Sequence, residues 1–163
     1  MIFPFNAGEV FKLALKLEDN GFRFYEAAAA KPFPAEIKEL FHVLALEEKK
    51  HKDIFSHILG QIPSAASTST VWDPDNELDQ YLKMMVDQHV FSQDPAELEK
   101  KFAGLTDFQE AVKLALSFEK DSIVFFLELL ALSENNPESR AEIHKLVDEE
   151  RKHLQQLTRL LKK

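Results

Sequence analysis

An all-α fold, a four-helix bundle made of two antiparallel helix hairpins joined by a long crossover, is predicted by three observations. Leu, Ala, Glu and Lys, all good helix formers, dominate the 163 residues. Only 4 Gly and 7 Pro are present, few for a fold built on many tight turns. Four long segments repeat apolar residues every three to four positions, the spacing of an amphipathic helix. At 45% hydrophobic and 29% charged, the chain is neither disordered nor collagen-like, and its length suits one domain with a sizeable core.

The first helix is expected over residues 7–30, entered by Asn6 as a cap with Glu9 at the third helical position. It stops before Lys31-Pro32-Phe33-Pro34, where two prolines forbid continuation. The second takes Pro34 near its first turn and runs to about Leu59, stopped by Gly60 and Pro63. The third opens after Thr106 or Asp107, with Gln109 completing a capping box to Thr106, and reaches about Ser133. The fourth begins at Asn136-Pro137, a cap followed by proline at the first helical position, and runs nearly to Lys163. The short connections near 31–34 and 134–137 each make a hairpin.

The crossover, residues 60–106, holds a polar, turn-rich tract over 64–70 and a shorter helix over 76–91 carrying Leu78, Tyr81, Leu82, Met85 and Val86. A helix of about 25 residues is roughly 37 Å long, so this connection can travel the length of a bundle and still hold a helix. Residues 1–163 are therefore expected to form a single domain, with hairpins at 7–59 and 107–162. An internal repeat supports the division. The stretch 12–25, KLALKLEDNGFRFY, aligns with 113–126, KLALSFEKDSIVFF, at an offset of 101. Glu47-Glu48-Lys49-Lys50-His51 aligns with Glu149-Glu150-Arg151-Lys152-His153 at an offset of 102. A period this long is a duplicated half-domain, not a solenoid.

Several function classes are excluded. With no cysteine there is no disulfide framework, thiol nucleophile or cysteine-held iron–sulfur centre. A net charge of −8 opposes nucleic-acid binding, because a phosphate backbone would be repelled. The N-terminal MIFPFNAGEVF lacks a basic region and its apolar start is cut by Pro4 and Glu9, so neither signal peptide nor membrane span is read, and a cytoplasmic location is expected.

Stepping three and four residues along each helix traces its inward stripe. The first carries Ala14, Glu18, Gly21, Tyr25 and Ala28; the second Leu44, Glu48, His51, Phe55 and Ile58. The third carries Val112, Ala115, Glu119, Ser122, Phe126 and Leu129; the fourth Ile143, Val147, Glu150, His153 and Leu157. A glutamate interrupts every stripe near its middle, and two stripes add a histidine three residues later. Four carboxylates at matched heights cannot stay ionised in an apolar core without counter-charge. Two divalent metal ions would neutralise them, and Glu at i with His at i+3 can reach the same ion. A third Glu-x-x-His, Glu39 to His42, lies nine residues before Glu48-x-x-His51, about 180° round the helix, and reads as surface.

In the order Glu, Glu-x-x-His, Glu, Glu-x-x-His on successive helices, the sequence resembles the ferritin-like di-iron carboxylate proteins, and among them the rubrerythrin-like group. The resemblance covers the four helices, not the crossover. It implies metal ligands at Glu18, Glu48, His51, Glu119, Glu150 and His153, with Glu48 and Glu150 bridging and Glu18 and Glu119 terminal. It matches Tyr25 to a tyrosine beside such sites; the counterpart in the second half is Phe126. The chain departs from the group at two points. A full rubrerythrin carries a cysteine-bound rubredoxin domain whereas these 163 residues hold no cysteine, and Ser122 stands where an additional glutamate is usual one turn after the ligand, mirrored by Gly21.

A carboxylate-rich shell with one imidazole per ion suits iron, or manganese as the alternative, better than zinc. The expected activity is that of a non-haem di-iron redox protein reacting with O₂ or H₂O₂, a peroxidase or a ferroxidase acting on Fe²⁺, served by an external electron donor. Iron storage or sensing without turnover, and a structural bundle with a folding metal site, are the competing readings. A homodimer would be the commonest soluble assembly. His57, His89 and His144 read as surface or capping residues, and Trp72 as packing against the bundle. Glu47 and Glu149, about 100° from the stripe, read as solvated or hydrogen-bonded to a ligand.

Overall fold

Each helix begins and ends where backbone chemistry requires it. In the computed structural model, which describes residues 7–62, 75, 77–90, 94–133 and 136–162, six helices follow one another. They are α1 (Ala7–Ala29), α2 (Ala35–Gln61), α3 (Glu77–Gln88), α4 (Pro95–Ala103), α5 (Phe108–Leu132) and α6 (Pro137–Leu161). Pro34, extended at φ −52° and ψ 144°, stands at the start of α2 and its carbonyl accepts from Ile37 N at 3.0 Å. Asn136 caps α6 by accepting from Ser139 N at 3.1 Å, ahead of Pro137.

Three boundaries differ from the sequence reading. Asp107, rather than a Thr106–Gln109 box, caps α5: its carboxylate accepts from Gln109 N at 3.0 Å. Gly60 does not stop α2, which continues to Gln61; an exposed glycine costs a helix only about 1 kcal/mol. The crossover holds a second helix, α4, capped by Asp94 on Ala96 N at 2.8 Å with Pro95 in its first turn. The Asp94-Pro95 pair repeats the signal of Asn136-Pro137, so α4 is legible in the same way. The Asn6 cap, the 64–70 tract, Trp72 and the side chains of Glu9, Leu78, Leu82 and Val86 lie outside the described residues.

α1 packs along α2 and α5 along α6, giving the two hairpins, while α4 lies against α1. Two apolar clusters fill the bundle. One joins Phe24, Ala28, Phe41, Leu44, Val112, Phe118 and Leu157 with Leu98 and Phe102 of α4. The other joins Val10, Leu17, Phe55, Ile58, Phe126, Leu129, Ile143 and Val147. The first gathers the end of α1 and the start of α5; the second gathers the start of α1 and the end of α5. Thus α1 runs antiparallel to α5, and likewise α2 to α6. Each fully buried Phe contributes about 1.5–3 kcal/mol of transfer free energy. Between the two clusters lies the layer of glutamates. No described helix is long and apolar enough to cross a membrane.

Candidate metal centre

Four helices deliver one glutamate each to this layer: Glu18 from α1, Glu48 from α2, Glu119 from α5 and Glu150 from α6. All four are 0% exposed, as is His51, and His153 is 1% exposed. Every one of the six residues expected from the stripes is therefore buried at mid-bundle. Their ligand atoms fall into two groups, each within 4.8 Å: Glu18, Glu48, His51 and Glu150, and Glu48, Glu119, Glu150 and His153. Glu48 and Glu150 belong to both. Glu39 and His42 face outward on the far side of α2, as the spacing predicts, and His57 and His144 are exposed.

Both imidazoles turn Nδ1 inward. His51 Nδ1 lies 2.9 Å from Glu150 Oε1 and 3.3 Å from Glu18 Oε2; His153 Nδ1 lies 2.9 Å from Glu150 Oε2 and 3.4 Å from Glu119 Oε2. Their Nε2 atoms point out and meet carboxylates across the bundle. His51 Nε2 is 3.0 Å from Glu149 on α6, and His153 Nε2 is 2.5 Å from Glu47 on α2. Each residue preceding a bridging-position glutamate thus grips the histidine of the opposite hairpin. Such a grip fixes the Nε2–H tautomer and leaves the Nδ1 lone pair for a cation. Of the two sequence readings of Glu47 and Glu149, the hydrogen bond is the one observed.

The electrostatics describe a cluster short of positive charge. Burial pushes the Glu48 carboxyl well above its usual range, and Glu18, Glu150 and Glu119 push it further. Burial likewise raises Glu18 and Glu119. Burial opposes charging of both histidines, yet the carboxylates outweigh it: Glu150 first holds His51 well above normal, and Glu119 leads in pushing His153 up to about 12. Glu150, despite burial, is held well below the usual carboxylate range by the His51 charge. Protons thus occupy part of this cluster in the place of stronger cations.

Hydrogen bonding does not satisfy the cluster. Both oxygens of Glu18 and of Glu48, Glu150 Oε1 and His51 Nδ1 are buried without a hydrogen-bond partner. Buried polar atoms left so cost about 1–3 kcal/mol each, more for charged groups. Five carboxylate oxygens gathered round one imidazole nitrogen, two of them in ion-pair contact with it but none in hydrogen-bond geometry, are what divalent cations would satisfy. The oxygen-rich set with one imidazole in each group suits iron or manganese. The residues present fit a pair of such ions.

Around the cluster the two hairpins differ. Tyr25 on α1, fully buried, donates its hydroxyl to Glu119 Oε1 across the bundle. Burial and then the Glu119 charge push the phenol well above 10, which keeps it a donor. Gly21 leaves room for Phe118 of α5: a Cβ there would lie 2.3 Å from the Phe118 Cζ and 3.1 Å from Glu48 Oε2. His89 corrects the sequence reading. It is 4% exposed, not a surface residue, and sits 3.4 Å from Ser122 Oγ with its ring edge on Phe118. The only sequence signal is its place in a crossover that must traverse the bundle, with Val90 and Phe91 following it.

The chain matches the family model described as Rubrerythrin over residues 9–161. No curated protein sequence matches it. Its fold is similar to the crystal structure of a candidate ferritin-like diiron-carboxylate protein from Thermotoga maritima. That likeness has a TM-score of 0.72 at 24% identity and covers 98% of this chain and 97% of the other.

Proposed function

Because this chain belongs to the rubrerythrin family, we propose that it binds two iron ions at the glutamate layer and reacts them with hydrogen peroxide or O₂. The observation that carries the reading is the pair of four-residue groups sharing Glu48 and Glu150. In this assignment Glu48 and Glu150 would be shared by both ions, Glu18 with His51 would complete one site, and Glu119 with His153 would complete the other. Bound ferrous ions would supply the two electrons that, with two protons, convert hydrogen peroxide to two waters.

The chain's own residues set the conditions. The apolar clusters above and below exclude bulk water and strengthen every charge interaction within. Glu47 and Glu149 hold the histidine nitrogens in the ligating tautomer. Tyr25 holds a proton against Glu119 Oε1, orienting that carboxylate. Four glutamates and two neutral imidazoles leave a divalent pair with no net charge, the condition that makes burial tolerable.

Anaerobic loading with Fe²⁺, metal analysis, then mixing with peroxide or O₂ under near-ultraviolet detection tests the reading. Two irons per chain, a fast oxo-bridge absorption and repeated turnover with a reductant are expected. One ion or none after loading would overturn it; two ions oxidised slowly without turnover would support storage instead.

A further inference from the structure

The crossover brings one further buried polar group toward the centre. His89 lies just past the end of α3, and α5 clamps it at two adjacent residues. Asp121 Oδ2 accepts from Val90 N at 2.9 Å, fixing the turn, and Ser122 Oγ stands 3.4 Å from His89 Nε2. Ser122 is fully buried on the inward stripe of α5, one turn beyond Glu119. On its outer side His89 lines a cavity of about 230 Å³ with Tyr81, Met85, Asp121, Val124 and Phe125. Several water-sized molecules fit in such a volume.

We propose that this cavity, with His89 at its inner end and Ser122 behind it, is the access route by which a small, uncharged, polar oxidant of the hydrogen peroxide class reaches the metal centre. The inference rests on the redox reading above. The cavity ends at His89, and Ser122 Oγ behind the imidazole lies one helical turn from Glu119. About Tyr25, by contrast, Phe24 and Phe41 pack against the phenol ring. Burial pushes the His89 imidazole down to about 4, so at neutral pH it is uncharged and neither attracts nor repels a charged species. The Asp121 carboxylate on the same wall disfavours anions. His89 is here an access residue and takes no part in the electron transfer.

The zinc-loaded protein, whose metal cannot be oxidised, allows hydrogen peroxide itself to serve as the probe. On titration, the imidazole signal of His89 and the amide of Ser122 should shift in NMR spectra, while those of exposed His57 and His144 stay still. In the ferrous protein, His89→Phe should lower the second-order rate constant for peroxide on the order of tenfold, and His89→Gln should restore it. Iron content and the rate with ferricyanide, which takes electrons without entering, should not change. Unmoved His89 and Ser122 signals, or a wild-type peroxide rate in His89→Phe, would overturn the route. A wild-type protein inert to peroxide would remove the redox reading, while the zinc titration still decides access. Should His89→Phe not fold, Val124→Trp narrows the mouth from the exposed face of α5 and takes its place.

Discussion

The two hairpins agree in the residues that would bind metal and disagree one turn away. Glu18, Glu48 and His51 in one have counterparts Glu119, Glu150 and His153 in the other, and all six are buried. Glu47 and Glu149 then reach across to the opposite histidine in the same manner. Beyond this layer the positions part: Tyr25 against Phe126, Gly21 against Ser122, Leu17 against Phe118. In the proposed assignment the six positions are alike because each ion would ask for the same donors. The neighbours are free to differ, and their differences give the centre two unlike sides. One is closed by aromatic rings with a single phenol, and the other carries a serine and a histidine from the crossover.

The largest expected effect breaks the likeness itself. Glu48→Ala and Glu150→Ala each remove a residue shared by both groups, leaving a divalent pair with net charge +1 in a low-dielectric core. Both ions should be lost, or bound too weakly to survive gel filtration, as metal analysis would show. His51→Ala and His153→Ala remove a neutral donor from one group each, so about one ion should remain. If either glutamate variant keeps one tightly bound ion, that glutamate does not bridge.

The next effect uses pH to separate the centre from His89. In the metal-free protein Glu18, Glu48, Glu119, His51 and His153 all have raised values in the folded state. Stability from raised groups is complete below their unfolded values, near 4.5 for glutamate and 6.5 for histidine. It is lost as pH climbs, for His153 through the whole range toward about 12. His89 has the opposite sign: its value falls to about 4, so it adds stability above pH 6.5 that disappears as pH drops toward 4. Glu150, held low, changes nothing above pH 5. Five groups outweigh one, so the metal-free melting temperature should fall between pH 5 and pH 8, and fall more steeply in His89→Gln. Metal loading should reverse the trend, because ions bind the deprotonated carboxylates. A metal-free protein that gains stability steadily from pH 5 to 8 would contradict the buried cluster.

Much of the fold and of the centre is legible in the amino-acid sequence alone, and for one reason. A glutamate within an apolar stripe conflicts with burial, and four such conflicts at equal heights on four helices have one economical resolution. The hairpins are equally readable, since Pro32, Pro34 and Asn136-Pro137 punctuate the chain through backbone chemistry alone. His89 is not readable in this way. Whether it faces water or the bundle depends on how the crossover lies, and nothing local to Gln88-His89-Val90 decides that. The reach of Glu47 and Glu149 across hairpins is half readable: the angle of about 100° from the stripe follows from helix geometry, but the partner stands on a helix about a hundred residues away.

A smaller effect sharpens the contrast of Gly21 with Ser122. Gly21→Ala would gain helix propensity worth about 1 kcal/mol. Against that, its Cβ would meet the Phe118 ring at 2.3 Å, and Phe118 is wholly buried with nowhere to swing. Overpacking of this kind costs about 1–3 kcal/mol, so a net loss is expected, with disturbance at Glu48 Oε2 visible as weakened metal binding. Ser122→Ala removes one hydroxyl facing His89 and should cost about 1 kcal/mol or less. Urea denaturation of the two metal-free variants measures both, and equal losses would mean that the two sides are packed alike.

The smallest effect concerns the one phenol. Tyr25→Phe removes the donor to Glu119 Oε1 while keeping the ring among Phe24, Phe41 and Phe118. Two ions should still bind, with stability lowered by about 1 kcal/mol and only the rate or product of oxidation altered. The reciprocal change, Phe126→Tyr, asks whether the asymmetry is required. By the antiparallel register, position 126 stands to Glu18 as Tyr25 stands to Glu119, and both Glu18 oxygens lack a hydrogen-bond partner. A hydroxyl introduced there has an acceptor waiting, so the variant should fold, keep two ions and match the wild-type melting temperature. Phe126 also packs 5.0 Å from Phe55, which limits how far the ring can move to make the bond. If Phe126→Tyr instead loses an ion or several degrees of melting temperature, the phenol cannot reach Glu18. The packing about Phe126 and Phe55 then keeps a hydroxyl out, and the presence of a phenol at position 25 alone is a property of the packing.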